Sequence, residues 1–249
     1  MIVNQSSAGV SIIYHAAHGL LAGKIANRLK SELRFEYWFD FLIAVSEHDD
    51  RQLNFEEKEY LSENGIPIHF TEEKKKVSEI IRRMKRVTKS AINKSMFVRL
   101  LISHHLEFLY GHMRSESKRI KNFFQNEKAL RKQALSIYKI NKAEVSHAYQ
   151  CLKFCDRLSL LLCMDKVPTP NRKLEINTSI DNKTYFVEMS QNQNINVEPW
   201  VFDIDKFELS VETRFLNAAS FSSEKKFKEV LESTAPNLKS WILSKKSKN

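Results

Sequence analysis

Residues 41–50 read Phe-Leu-Ile-Ala-Val-Ser-Glu-His-Asp-Asp, an apolar helical stretch that runs into an adjacent His48-Asp49 pair. Burying an imidazole beside a carboxylate at the end of a core helix is costly unless something binds the pair. A metal ion is the usual occupant of such a place. His18 upstream, and His105 and Asp156 downstream, also lie inside apolar helical patterns. Neutral imidazoles and ionised carboxylates on facing helices are what a divalent ion in a helical bundle requires. Asp156 makes the sharpest case. It sits in Cys151-Leu152-Lys153-Phe154-Cys155-Asp156-Arg157-Leu158-Ser159-Leu160, among the most apolar stretches of the chain. An unpaired carboxylate there is strongly disfavoured, so it needs a cation, a metal or a strong donor.

Plainer readings stand beside this one. His48-Asp49 alone could be a helix end whose Asp pairs with a nearby Lys or Arg. His18, His105 and Asp156 in the same pattern tip the balance towards a site. For Arg157 a structural salt bridge is the slightly favoured account. His104 and His105 differ by about 100° around a helix, so one of them faces the centre, and spacing alone does not choose. His15 lies one turn before His18 and is a reserve ligand. His69, His112 and His147 have no partners in pattern and read as surface or capping groups.

The elements that would position these residues follow from periodicity. Residues 1–14 read as a β-hairpin, with β-type runs around Asn-Gln-Ser-Ser-Ala-Gly. A helix is expected over 15–33, with Leu21, Ile25 and Leu29 on one stripe and His18 one step earlier on it. A second, over 35–49, carries Trp38, Leu42 and Val45 on the side that reaches Asp49. Residues 50–70 lose periodicity, and Asn64-Gly65-Ile66-Pro67 is a turn. Thr71-Glu72-Glu73 is a plausible start for a helix with Val77, Ile80, Ile81, Met84 and Val87 inward and its basic residues outward. Another helix covers 95–112. Residues 113–140 read as a long exposed helix or helical hairpin. Asn141-Lys142-Ala143-Glu144 resembles a capping box and opens a helix that runs to about Met164. Pro168-Thr169-Pro170 marks a boundary. Beyond it 173–178, 184–189 and 207–215 alternate like strands, 222–233 reads as a helix and 239–243 as a last strand. The expected organisation is therefore a hairpin at 1–14, a helical domain at 15–166 and a β-rich extension with one helix at 171–249.

The chain has 249 residues, five glycines, five prolines and a net charge of +10. That suits one helix-rich globular unit, and disorder is not indicated. Much of the positive excess is local, at Lys74–76, Arg82, Arg83, Lys85, Arg86 and Lys89 and at Lys245, Lys246 and Lys248. The basic helix lacks interleaved aromatics, so it reads as a solvated face and gives nucleic-acid binding little support. Cys151, Cys155 and Cys163 share one expected helix and form no disulfide framework. No signal peptide or bilayer-length apolar run is visible, and the expectation is a cytoplasmic protein with no membrane contact. Phosphate-cradling glycine loops and a Gly-x-Ser-x-Gly elbow are absent from the sequence.

Four blocks carry a resemblance. They are His18-x-x-x-x-Gly23-x-Ile25-Ala26, Ala44-Val45-x-Glu47-His48-Asp49-Asp50, Leu100-Leu101-Ile102-Ser103-x-His105 and Asp156-Arg157-Leu158-Ser159-Leu160-x-x-Cys163. In this order they resemble the HD (His-Asp) superfamily of metal-dependent phosphohydrolases, and more closely an uncharacterised bacterial domain family related to it. The resemblance implies a mainly α, HD-like helical bundle with a small accessory antiparallel sheet built from both chain ends. It implies a metal held by His18, His48, Asp49 and Asp156, with His105 a further ligand or a phosphate contact. That donor set suits Mn, Fe, Co, Ni or Zn better than Mg. It implies hydrolysis of a phosphate ester, with a nucleotide among the candidate substrates. Asp49, Glu47 and Asp50 would serve the chemistry, and Lys153, Arg157 and Ser103 would contact substrate. The related family commonly follows its His-Asp with Gly-Trp, whereas Arg51-Gln52 follow Asp50 here. That departure and the +10 charge motivate the alternative: an HD-like module without turnover that binds a phosphorylated ligand or nucleic acid.

Overall fold

A computed structural model of the chain describes residues 1–246, apart from the side chains of Asn177 and Thr178. Lys248 lies outside the described residues, as do the last three residues of the expected C-terminal extension. The helices are α1 (His15–Ala26), α2 (Trp38–Glu47), α3 (Val77–Ile92), α4 (Met96–Tyr110), α5 (Lys118–Tyr138), α6 (Lys142–Cys163) and α7 (Glu224–Ser233). The strands are β1 (Ile2–Ser6), β2 (Gly9–Ile13), β3 (Leu174–Ile180), β4 (Lys183–Met189), β5 (Ile195–Glu198), β6 (Lys206–Leu216) and β7 (Asn237–Ser244).

The expectation of a mainly helical bundle with a small accessory sheet is wrong. All seven strands form one sheet in the order β1-β2-β6-β7-β5-β4-β3, and it curls into a half-barrel. Neighbours are antiparallel except β5 and β7, which run parallel. The N-terminal hairpin joins through Val10 opposite Leu216 and Ile12 opposite Arg214. Along β6, Phe207, Leu209, Val211 and Thr213 alternate inward, the period a half-buried strand requires. Sheet residues Ile176, Val187, Val197, Leu209, Val211 and Leu243 belong to the same apolar core as helix residues Leu21, Phe41, Met84, Leu101 and Leu158. The sheet is thus half of the main core and no appendage to it. Its size was hidden because its pairings are non-local and one member, the four-residue β5, falls in polar sequence. The opposite face of the hairpin, with Val3, Val10 and Ile12, packs with Phe227 and Leu231 of α7 in a second apolar cluster.

Several helix ends differ from periodicity for local reasons. Helix α1 stops at Ala26, because Leu29 forms a β-bridge with Phe202 and the Lys30 N–H donates to Val201 O at 3.1 Å. Helix α3 starts at Val77 and not near Thr71. Thr71 lies instead in a turn that the Glu72 N–H closes on His69 O at 2.8 Å. From Val77, Glu79 lies in the first helical turn, near the positive end of the helix dipole, and its Oε2 accepts from the Lys76 N–H at 3.3 Å. Residues 118–138 form one helix, not a hairpin, capped by the Ser117 hydroxyl. Asn141 and Glu144 make the reciprocal capping box, which fixes where α6 begins. Helices α1 and α2 approach closely at two glycines. A Cβ on Gly19 would meet Ser46 O at 2.4 Å, and one on Gly23 would meet Ser46 Oγ at 2.1 Å. This contact brings His18 of α1 beside His48, the residue that ends α2.

Candidate metal centre

Three helices and one helix end deliver the chemistry-bearing groups to one place. His18 comes from α1, His48 caps α2, His105 comes from α4 and Asp156 from α6. His18 and His48 are fully buried and His105 nearly so. Donor atoms of His48, His105 and Asp156 lie within 4.8 Å of one another, as do those of His18, His48 and Asp49. The two trios share His48.

The hydrogen bonds fix which nitrogens carry protons. His48 Nδ1 is 2.6 Å from Val45 O, and a carbonyl can only accept, so Nδ1 donates. The Ser159 hydroxyl donates to Asp156 O at 2.8 Å, which leaves its oxygen to accept from His18 Nδ1 at 2.9 Å. Both Nε2 atoms are then free to present lone pairs. Each lies 3.1 Å from the same carboxylate oxygen, Asp156 Oδ1. The His48 contact is aligned as a hydrogen bond; the His18 contact is not, and His18 Nε2 has no partner. Buried His105 Nδ1 also lacks one. Two lone pairs and a carboxylate oxygen at van der Waals range repel unless a cation sits among them. A proton on His48 supplies part of that charge. Burial alone would depress this imidazole, but the Asp156 carboxylate outweighs it and lifts the pKa to about 9. Asp156 stays far below the usual carboxylate range, because His48 and His18 overcome its desolvation. Burial, reinforced by the charge of His48, lowers His105 to about 4 and keeps it neutral. A neutral imidazole, two oriented Nε2 lone pairs and a carboxylate fit a divalent transition metal.

Asp49 is held differently. Its Oδ2 is 2.6 Å from His15 Nδ1 and its Oδ1 is 2.5 Å from the Arg83 guanidinium. Gln52 Nε2 donates to Oδ1 as well, at 3.2 Å. Burial would raise the carboxyl, yet His15 and Arg83 hold it well below its ordinary value. His15 itself is lowered to about 4 by burial, despite Asp49. Arg83 also donates to the Tyr110 hydroxyl at 3.2 Å.

The remaining expected residues divide. His104 turns away from the centre and approaches Arg131 at 3.4 Å. Glu47 pairs with Lys94 at 2.8 Å on the outside of α2. Asp50 and Asp49 both line a cleft of about 490 Å³ beside the centre, and burial raises the Asp50 carboxyl. Lys153 lies over the Phe108 and Tyr149 rings at 5.8 and 5.5 Å. Arg157 is half-buried with its Nε unpartnered. Ser103 is buried on the other side of α4 from His105, beside Arg99 and Glu127.

Two residues were undervalued by the sequence. Arg83 was read as part of the outward basic face, and it is buried. The signal was there, since it lies three residues after Ile80 and four before Val87, on the apolar stripe. His15 was only a reserve ligand, and it is the direct partner of Asp49. The other basic residues of α3 do face outward, with Arg86 paired to Glu57, and Lys245 pairs with Asp205. The three cysteines are free and buried, and burial raises their thiols, so none is a ready nucleophile. Among the described residues no helix is long and apolar enough to cross a membrane.

Over residues 1–218 the chain matches the family DUF3891, described as a protein of unknown function. The protein belongs to that family. No curated protein and no solved structure matches it.

Proposed function

We propose that this DUF3891 member is a divalent-metal-dependent phosphohydrolase acting on a phosphate ester. One observation carries the reading: the buried His18 Nε2 and His48 Nε2 converge at 3.1 Å on one oxygen of the partly buried Asp156. His18, His48, His105 and Asp156 would hold the ion. Asp49, within reach of His18 and His48, completes the His-Asp order that supports a likeness to HD phosphohydrolases. The helical scaffold is no part of that support. A bound ion supplies a Lewis acid for a phosphoryl oxygen and an acidified water. The chain supplies the rest. Val45 O and Ser159 Oγ orient two imidazoles, the role that outer partners of metal ligands play. Arg83 and His15 keep Asp49 ionised. Lys153 and Arg157, flanking Asp156 on α6, are the cations that would offset phosphate charge.

The test is turnover of p-nitrophenyl phosphate and of nucleotides by protein reconstituted separately with Mn²⁺, Fe²⁺, Co²⁺, Ni²⁺ and Zn²⁺. Hydrolysis abolished by a chelator and restored by metal is expected. A second reading, a binding module without turnover, is favoured by one feature. Both oxygens of Asp49 are already engaged by His15, Arg83 and Gln52, which leaves that carboxylate poorly free to act as a base. Metal-loaded protein that hydrolyses none of these esters, yet binds a phosphorylated ligand or nucleic acid in a salt-sensitive way, would favour it.

A further inference from the structure

The cleft beside the centre has a composition that narrows the ligand. It lies between α1 and the β6–β7 part of the sheet and has about 490 Å³ of space, within the range of small-molecule sites. His15 and Asp49 line it, so the cleft reaches the edge of the metal centre through that pair. Leu20, Val211 and Leu238 contribute apolar surface. Leu20 and Leu238 are more than half exposed, which is unusual for two leucines facing one concavity.

The charged lining is balanced. Lys24 and Arg51 are matched by Asp50 and Glu212, with Asp49 besides. Both cations are also engaged. The Lys24 ammonium donates to Ser210 O at 2.7 Å, and Arg51 donates to Ser90 Oγ at 3.0 Å. A polyphosphate chain would find no surplus of positive charge in this cleft. An uncharged, apolar group would find leucine and valine side chains to cover.

We infer that the cleft receives the apolar body of a phosphate monoester, whose single phosphate is directed past His15 and Asp49 to the metal centre. Nucleoside polyphosphates are therefore excluded as the preferred ligands. The inference rests on the proposed metal centre and adds the class of the organic group.

Binding of non-hydrolysable phosphonates to the metal-reconstituted full chain tests it, read by calorimetry with metal content measured on the same samples. Phenylphosphonate should bind about tenfold tighter than methylphosphonate, the gain expected from covering its ring. It should also bind tighter than the methylene analogue of ATP. The double variant Leu20→Gln, Leu238→Thr, at two exposed positions, should shrink the phenyl-to-methyl gap to about threefold or less while metal content and methylphosphonate affinity hold. Equal affinities, an undiminished gap in the variant, tighter binding of the ATP analogue, or no phosphonate binding by metal-loaded protein would each overturn the inference while leaving the metal centre standing. Wild type that takes up no metal would overturn the centre itself, and the inference with it.

Discussion

Asp49 and Asp156 are two partly buried carboxylates a short distance apart, each touched by imidazoles, and they are neutralised in opposite ways. Asp49 has a permanent counter-ion in Arg83, an oriented imidazole in His15 and an amide in Gln52. Asp156 has no guanidinium or ammonium partner among the described residues. It faces the Nε2 atoms of His18 and His48, whose Nδ1 protons are committed elsewhere. Only one aligned hydrogen bond spans those three groups. The lesson is that the chain satisfies one carboxylate with its own cation and leaves the other dependent on a charge it must acquire. The second pole is where the proposed metal would sit.

The most severe way to break this contrast is Asp156→Ala. Metal affinity should fall by at least about a hundredfold, beyond what loss of an outer partner costs, and the protein should stay folded. Metal titration followed by circular dichroism would read both. Next comes Arg83→Met, which strands the Asp49 carboxylate in the interior. It should destabilise the fold by about 3–5 kcal/mol in urea unfolding, with Asp49→Asn recovering part of the loss in the double variant. If Arg83→Met were neutral, Asp49 would not be a self-satisfied ion pair.

Gly23→Ala perturbs how the poles are brought together. Its methyl would meet the Ser46 hydroxyl, so a loss of about 2 kcal/mol is expected, partly rescued by Ser46→Ala. Full stability in Gly23→Ala would show that the α1–α2 contact yields freely. The smallest expected effect lies outside both poles. Burial, helped by Arg131, lowers His104 to about 4. The unfolded chain then binds a proton that the folded one refuses. This contribution is undiminished above about pH 6.5 and is lost as pH falls towards 4. Between pH 7 and 5.5 it amounts to about 1 kcal/mol, which His104→Gln should remove. An unchanged acid slope in that variant would place the acid sensitivity in His15 or His105, at the poles themselves.

How much of this was legible beforehand varies with the range of the interaction. The Asp156 pole was readable, because His18, His48 and Asp156 each stand on an apolar helical stripe, and a polar group on such a stripe must be explained. The choice of His105 over His104 was not fixed by spacing; packing against Arg131 and α5 turns His104 away. The Asp49 pole was half-legible. The carboxylate was noticed, but its counter-ion is 34 residues distant and was lost among lysines that do face solvent. Ser103 stands two residues from His105, a spacing that already puts it on another side of the helix. The sheet was least legible. Each long strand shows its alternation, yet no local pattern says that β2 pairs with β6, 202 or more residues later, or that the result shares the helical core. The domain division at 166 and 171 remains a proposal about folding units, set against a core to which both sides contribute.

The most direct test of the central claim is the metal stoichiometry of tag-free protein by mass spectrometry, with Asp156→Ala alongside. The account predicts close to one transition-metal ion per folded wild-type chain and none in the folded variant. Folded wild type that remains metal-free after incubation with Mn²⁺, Fe²⁺ and Zn²⁺, or a variant that holds metal as fully as wild type, would contradict it.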